Sequence, residues 1–229
     1  DASGNCYVAG RSGSGFAADF LTLKISSGGT VQWERKYNGT QNGSDNAVAL
    51  ALDAAGSNVY VGGYSIQSGR AEDYTIIRYA AATGDSNAAV LYNGVPAGQD
   101  FLSAMTIDPS DNIYVTGNSQ SNTASLDYAT VKYNSSLAQQ WVQRYNGPGN
   151  TADYAFFFFL DGFGNVYVTG QSRGIAAGDD YATVMYNSTG NEQWVIRYNG
   201  PGNALDQANS IGVDDCGNVF VTGQSFGSG

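Results

Sequence analysis

A chain of 229 residues is long enough for one large all-β domain or a small array of like units. Its charge is acidic, 20 Asp and Glu against 10 Lys and Arg, which argues against nucleic acid and anionic membrane surfaces as partners. It has no histidine, so the commonest metal ligand and the usual base near neutral pH are missing, and no apolar run is long enough to insert in a membrane as a helix. No signal peptide is visible; the chain opens at Asp1, inside a repeat and without Met, so the expectation is a processed product or a piece of something longer.

From the N-terminus, the first strand-like stretch is Gly4–Gly10 (GNCYVAG). A second starts at Asp19, and a third, Trp33–Gly39, reads WERKYNG. A fourth, Asp45–Asp53, is bounded by aspartates eight apart and runs into a turn, DAAGSN. Asp followed by small residues and Gly-Asn is hairpin chemistry. The set then starts again: Gly56–Gly63, a segment from Asp73, and Tyr92-Asn93-Gly94, with Ala88 where the first set has Trp33. Asp100–Asp108, Asp111–Gly117, a segment from Asp127 and Trp141–Gly147 follow. Asp153–Asp161, Gly164–Gly170, Asp180–Tyr186 and Trp194–Gly200 make the next round, and Asp206–Asp214 with Gly217–Gly223 begin another. The closing glycines Gly10, Gly63, Gly117, Gly170 and Gly223 are spaced by 53, 54, 53 and 53 residues. A fixed period of that length means a propeller or an array. Four short strands per period, with alternating patterning and no helical periodicity, make one blade of a β-propeller. The expected class is an all-β propeller of four-stranded antiparallel blades, four plus part of a fifth, with repeats at about 1–52, 53–107, 108–160 and 161–213 and a partial one at 214–229.

Asp127–Asn134 (DYATVKYN), Trp141–Asn150 and Gly164–Ser172 carry a resemblance to the SBBP family, the bacterial β-propeller repeat. The resemblance runs through four periods and part of a fifth; Ala88 and the run Phe156-Phe157-Phe158-Phe159 depart from it. The family name implies seven blades, more than this chain holds. The resemblance implies a secreted or cell-surface bacterial protein, often a module of a longer polypeptide, and supplies no catalytic residues. By analogy with other propellers, the Asp-bounded segment is expected innermost and the Trp-Tyr-Asn-Gly segment outermost. The first blade then lacks its inner strand and the last has only two strands. The chain is cut from a larger ring, or its last inner strand closes a small one, or the spare strands pair between molecules as a homo-oligomer.

The candidate sites repeat with the fold. Trp33, Trp141 and Trp194, with Tyr37, Tyr92, Tyr145 and Tyr198, recur about once per blade beside Asn and Asp. They are either weak sugar platforms multiplied by repetition or rings that fill the gaps between blades. The turns after Asp161 and Asp214 faintly resemble calcium loops, but one or two acids per turn is few for calcium, and capping the turn is the expected role. Cys6 and Cys216 sit at non-equivalent positions and either bridge the two ends or stay unpaired. Four phenylalanines at 156–159, where other repeats have mostly small residues, are expected to plug or strain a crowded inner strand. No catalytic residues, metal ligands or cofactor fingerprint stand out. The expected role is a non-enzymatic extracellular structural or protein-interaction module. The alternatives are a carbohydrate-binding propeller and, less favoured, a glycoside hydrolase or lyase.

Overall fold

The computed structural model describes residues 1–13, 17–67, 71–122, 125–175 and 178–227; the last two residues of the expected partial repeat lie outside them. Its described secondary structure is strand and turn. The first sheet holds β1 (Cys6–Ser12), β2 (Asp19–Ile25) and β3 (Val31–Tyr37). The second runs β4 (Asn46–Leu52), β5 (Asn58–Ile66), β6 (Glu72–Ala80) and β7 (Ser86–Tyr92) in chain order. β8 (Asp100–Ile107), β9 (Ile113–Gln120), β10 (Leu126–Tyr133) and β11 (Gln139–Tyr145) form the third. β12 (Asp153–Leu160), β13 (Val166–Arg173), β14 (Asp179–Tyr186) and β15 (Glu192–Tyr198) form the fourth, and β16 (Asp206–Val213) with β17 (Val219–Ser225) a two-stranded remainder. Each expected segment is therefore a strand. The chain divides into two compact units, Asp1–Val115 with Lys132–Gln139, and Thr116–Val131 with Gln140–Gly229.

In the first unit, β4 lies against β1 and β8, so the Asp-bounded strands are neighbours of one another. The faces of the first two sheets close on a core of Tyr7, Phe20, Trp33, Val59, Val61, Ile77 and Tyr79. This explains why both faces of a segment such as NVYVGG carry apolar residues: the second sheet is covered on two sides. One carbonyl, that of Ala81, accepts from the Trp33 indole at 3.2 Å, the Lys24 ammonium at 3.0 Å and the Tyr7 hydroxyl at 3.4 Å. In the second unit β12 lies against β16, repeating the neighbour relation of β4 and β8. Thr169 and Thr183 share a buried hydrogen bond of 3.0 Å across β13 and β14.

The repeated glycine that closes the organising motif has a steric cause. The register of β12 on β13 slips between Ala155 and Phe157, a β-bulge, and the same slip occurs at Ala47/Ala49 on β5 and Ala208/Ser210 on β17. The bulge presses the Tyr154 carbonyl onto Gly170, where any Cβ would overlap it and would also lie 2.9 Å from the Tyr128 hydroxyl oxygen.

The bulge also corrects the expectation for the phenylalanine run. Phe156 is the extra residue, its ring stacked on Tyr154 with centroids 6.5 Å apart. Phe158 is 5% exposed and takes the core place that Leu50, Met105 and Ile211 hold in the other repeats, so a large side chain is normal there. Among the remaining three, Phe157 stands 44% exposed, so the run neither fills one crowded strand nor plugs it as a block. Cys6 and Cys216 are both exposed free thiols in this structure. The Cys6 sulfur lies 3.9 Å from the carbonyl of its neighbour Tyr7, and Cys216 sits in the β16–β17 turn with its amide held by Asp214 at 3.0 Å.

Candidate interaction surface

The aspartates that open the recurring hairpin turns are occupied by the fold. In the hairpin before β13, Asp161 Oδ1 accepts from the Phe163 amide at 2.9 Å and the Asn165 amide at 2.8 Å, while Oδ2 accepts from the Asn165 side chain at 2.8 Å and the Tyr167 hydroxyl at 3.2 Å. Asp108 repeats all four bonds, and Asp1 and Asp214 repeat the Asn clamp. These carboxylates cap turns, as Asp does without any metal. Among the described residues no group of three or more Asp, Glu or Cys is placed to hold a metal ion.

A second polar device links strands within a repeat. Arg197 donates to Asp180 at 2.9 Å, to the Ser172 carbonyl at 2.7 Å, to the Tyr145 hydroxyl at 2.8 Å and to the Ser172 hydroxyl. Arg144 does the same with Ser119 and Asp127. In the second repeat Leu91 holds this register position, opposite Thr75 as Arg197 is opposite Ala182. Asp73 is buried there, and its Oδ1 has no hydrogen-bond partner among the described residues. Burial, and then the neighbouring charges of Asp100 and Glu72, push its carboxyl up to about 6.

The aromatic residues singled out from the sequence divide by burial. Trp33, Tyr92 and Tyr145 are buried, Trp141, Trp194 and Tyr37 are half-buried, and Tyr198 is 49% exposed. Trp33 packs on Tyr79 at 6.3 Å and Trp141 on Tyr186 at 6.4 Å between centroids, each covered by the third strand of the following repeat. A buried ring offers no face to a sugar, so the platform reading fails for Trp33, Tyr92 and Tyr145.

Sequence reasoning missed a size match at these tryptophans. A Cβ on Gly84 would lie 2.7 Å from the Trp33 ring, and one on Gly190 2.8 Å from the Trp141 ring. The third repeat has Leu137 at that turn position, and Leu137 follows Ala88 as Gly84 follows Trp33 and Gly190 follows Trp141. Leu137 is 6% exposed and has a φ of 63°, the left-handed backbone of the glycines it replaces. The large-small pair is inverted, which accounts for the missing tryptophan at 88. Ala88→Trp alone is expected to cost about 1–3 kcal/mol by overpacking. Leu137→Gly alone is expected to cost about 2 kcal/mol, a cavity partly offset by relief of the positive φ. The double variant should regain at least about 1 kcal/mol over their sum. Urea denaturation of the four proteins measures this, and strict additivity would show that the two positions do not face each other.

One face stays open. Tyr181, Thr183, Ile196, Tyr198 and Val221 line an apolar groove of about 320 Å³ between β14, β15 and β17. Ile196 is 59% exposed. Phe220 is 63% exposed, where its counterpart Tyr167 in β13 is buried. The cause is topological: β17 has the letters of β13 (VFVTGQS against VYVTGQS) but, among the described strands, pairs with β16 alone, whereas β13 lies between β12 and β14.

Residues 90–122 and 193–228 match the model of the SBBP family, described as a β-propeller repeat. Those two stretches carry the SBBP repeat. No curated protein matches it. Among solved structures it is similar to quinohemoprotein alcohol dehydrogenase from Comamonas testosteroni, at 12% identity and a TM-score of 0.54, over 96% of this chain and 38% of that one. It is also similar to the β-propeller domain of the Trilobed protease from Pyrococcus furiosus, described as an open velcro topology, at 7% identity and a TM-score of 0.51, over 83% of this chain and 53% of that one. At these identities the likeness carries the fold alone, and this chain spans about half or less of either structure. The fold is an all-β propeller of antiparallel blades, with the 17 described strands making about four blades and part of a fifth.

Proposed function

We propose that this chain is a structural or protein-interaction module without chemistry of its own, and that it works secreted or at the surface of a bacterial cell, as the resemblance to SBBP repeats implies. The observation that carries the reading is where the polar groups go. The turn carboxylates, the Arg–Asp pairs and the indole N–H groups of Trp33 and Trp141 are all bound to the fold itself. Among the described residues an apolar face lined by Tyr181, Ile196 and Tyr198 stays open, which suits a protein partner better than a sugar or a reacting substrate.

Light scattering over a range of concentrations, together with a glycan array, tests the reading. The expected result is a mass that rises above the monomer with concentration and an array without specific signal. A concentration-independent monomer that binds a defined glycan would overturn it in favour of a lectin-like propeller.

A further inference from the structure

Two consecutive hairpin turns of the second unit enclose a groove away from the Tyr198 face. It measures about 350 Å³ and lies between the β12–β13 turn and the β16–β17 turn. Phe159, Leu160 and Val213 supply its apolar lining, and Asp161, Asp214 and Asp215 its acidic part. Both walls are internal hairpins. The equivalent groove in the first unit, about 310 Å³ between the turns at Asp1–Ser3 and Leu52–Gly56, stands beside the complete four-stranded sheet β4–β7. The groove therefore belongs to the meeting of two turns and not to the number of strands in the following sheet.

Two side chains set this groove apart. Phe163 is 85% exposed at a turn position where the other repeats carry Ser3, Ala55, Ser110 and Cys216. Its amide is bonded to Asp161 at 2.9 Å, which fixes the residue on the turn, and the residue lines the groove. Asp215 stands where the others have Ala2, Ala54, Pro109 and Gly162. The charge is also left uncompensated. In the first unit a cation from the third strand comes to the turn: Lys24 pairs with Tyr7 and lies 3.9 Å from Asp1, and Lys132 lies over the ring of Tyr114, whose hydroxyl binds Asp108. In the fourth repeat the strand partner of Tyr167 is Met185. The cations of the second unit, Arg144, Arg173 and Arg197, are bound to Asp127, Asp179 and Asp180 toward the other ends of the strands. Bonds from the Asn218 side chain and backbone hold the Asp214 carboxyl below its ordinary range, so it stays charged in mildly acid solution. An exposed ring and an apolar cleft rimmed by one sign of charge mark a binding surface.

We propose that this groove docks a basic segment of a partner protein, an extended stretch in which Arg or Lys flanks an apolar side chain. The inference rests on the interaction-module reading and adds a second surface and a partner class to it. The apolar side chain enters between the turns against Leu160 and Val213. A guanidinium or ammonium lies on the open face of the Phe163 ring, within reach of the carboxylates of the two turns. Charge complementarity chooses the partner and speeds its arrival, and the apolar contact with the cation over the ring holds it. The acidic rim turns away acidic segments, this chain's own strongly acidic surface among them.

The test titrates the intact chain with the peptide acetyl-Gly-Arg-Leu-Lys-Gly-amide and follows backbone amide shifts by nuclear magnetic resonance. Saturable shifts are expected at Gly162–Asn165 and Asp215–Asn218. The affinity should fall about threefold or more when salt is raised from about 50 mM to about 500 mM. The same peptide with Glu in place of Arg and Lys should give no shift. Phe163→Ser and Asp215→Ala put into these turns the residues that stand at Ser110 and Ala54, so the fold is kept. Each should weaken binding by about threefold or more. No shift with the basic peptide, equal shifts with the acidic one, or an affinity that neither substitution changes overturns the proposal. Shifts of the same amides on raising protein concentration alone also overturn it, because the occupant is then a second copy. Any of these failures leaves the module reading standing where the mass rises with concentration and the glycan array stays blank. A strict monomer that binds a glycan and not the peptide removes both.

Discussion

Asp153→Ala is expected to lower the unfolding free energy by about 3–5 kcal/mol, a large share of the stability of an ordinary domain. Asp153 is fully buried at the start of β12. Its Oδ2 accepts from the Gly147 amide at 2.6 Å and its Oδ1 from the Arg173 amide at 3.2 Å. One side chain thus ties together the end of the preceding repeat, its own first strand and the end of its second strand. Removing it leaves the buried Gly147 N–H and the part-buried Arg173 N–H without their acceptor, at about 1–3 kcal/mol for a buried group and less for the other. The same joint recurs at Asp45 with Gly39 and Ile66, and at Asp206 with Gly200. Burial pushes the Asp153 carboxyl up, and the bonds from Ser172 and Gly147 pull it back, so the charge is tolerated because donors surround it. Gly147→Ala should also destabilise, by about 1–3 kcal/mol, since a Cβ there would overlap the Ser172 hydroxyl and lie 2.7 Å from Asp153 Oδ1. Urea denaturation followed by circular dichroism measures both. A loss below about 1 kcal/mol for Asp153→Ala would mean that water replaces the carboxylate and that the joint is not a main support of the fold.

The second large effect depends on pH. Asp73 titrates at about 6 in the folded chain, against an ordinary value of 3.8, because it is buried near Asp100 and Glu72. A carboxyl raised by folding costs nothing while both states are protonated. It destabilises once the unfolded chain ionises first, so its contribution worsens between about pH 4 and pH 6 and is constant above. The size is roughly 2–3 kcal/mol. Asp73→Asn is therefore expected to match the parent chain near pH 4 and to exceed it by about that amount at pH 7. Leu91→Arg should achieve a similar gain by another route, supplying the guanidinium that Arg144 and Arg197 bring to Asp127 and Asp180. Melting temperatures of the three proteins between pH 4 and pH 8 decide the matter. Parallel curves for the parent chain and Asp73→Asn would remove Asp73 as the source of the effect.

Much of this fold was legible in the letters because each repeat states it again. The four strand segments, the Asp-Asn turns and the incomplete first and last sheets all follow from period and turn chemistry. The Arg–Asp pairs were also within reach, since Arg144 and Arg197 stand three residues after a tryptophan in two repeats and are absent from that place in the second. What one strand cannot reveal is what lies across from it. The bulge at Ala155/Phe157 is a property of pairing, so the phenylalanine run read as one anomaly when its members point to different surroundings. Leu137 carried no signal until its turn was aligned with Gly84 and Gly190. The open face was only half legible: the missing strands were countable, but that Tyr198 stays exposed while Tyr92 and Tyr145 are covered needed the structure.

The inverted pair at Ala88 and Leu137 bears on how such a chain finds its order. Units with nearly the same letters risk docking on the wrong neighbour, skipping a unit or exchanging strands with another molecule as they fold. A tryptophan-bearing blade needs a following turn with glycine, and a blade with alanine needs one that fills the space. Seating the third repeat on the first would press Leu137 into Trp33, and seating the fourth on the second would leave a hollow at Ala88. Two side chains thus act as a key against skipping a unit, since both successions that skip one are left strained or hollow.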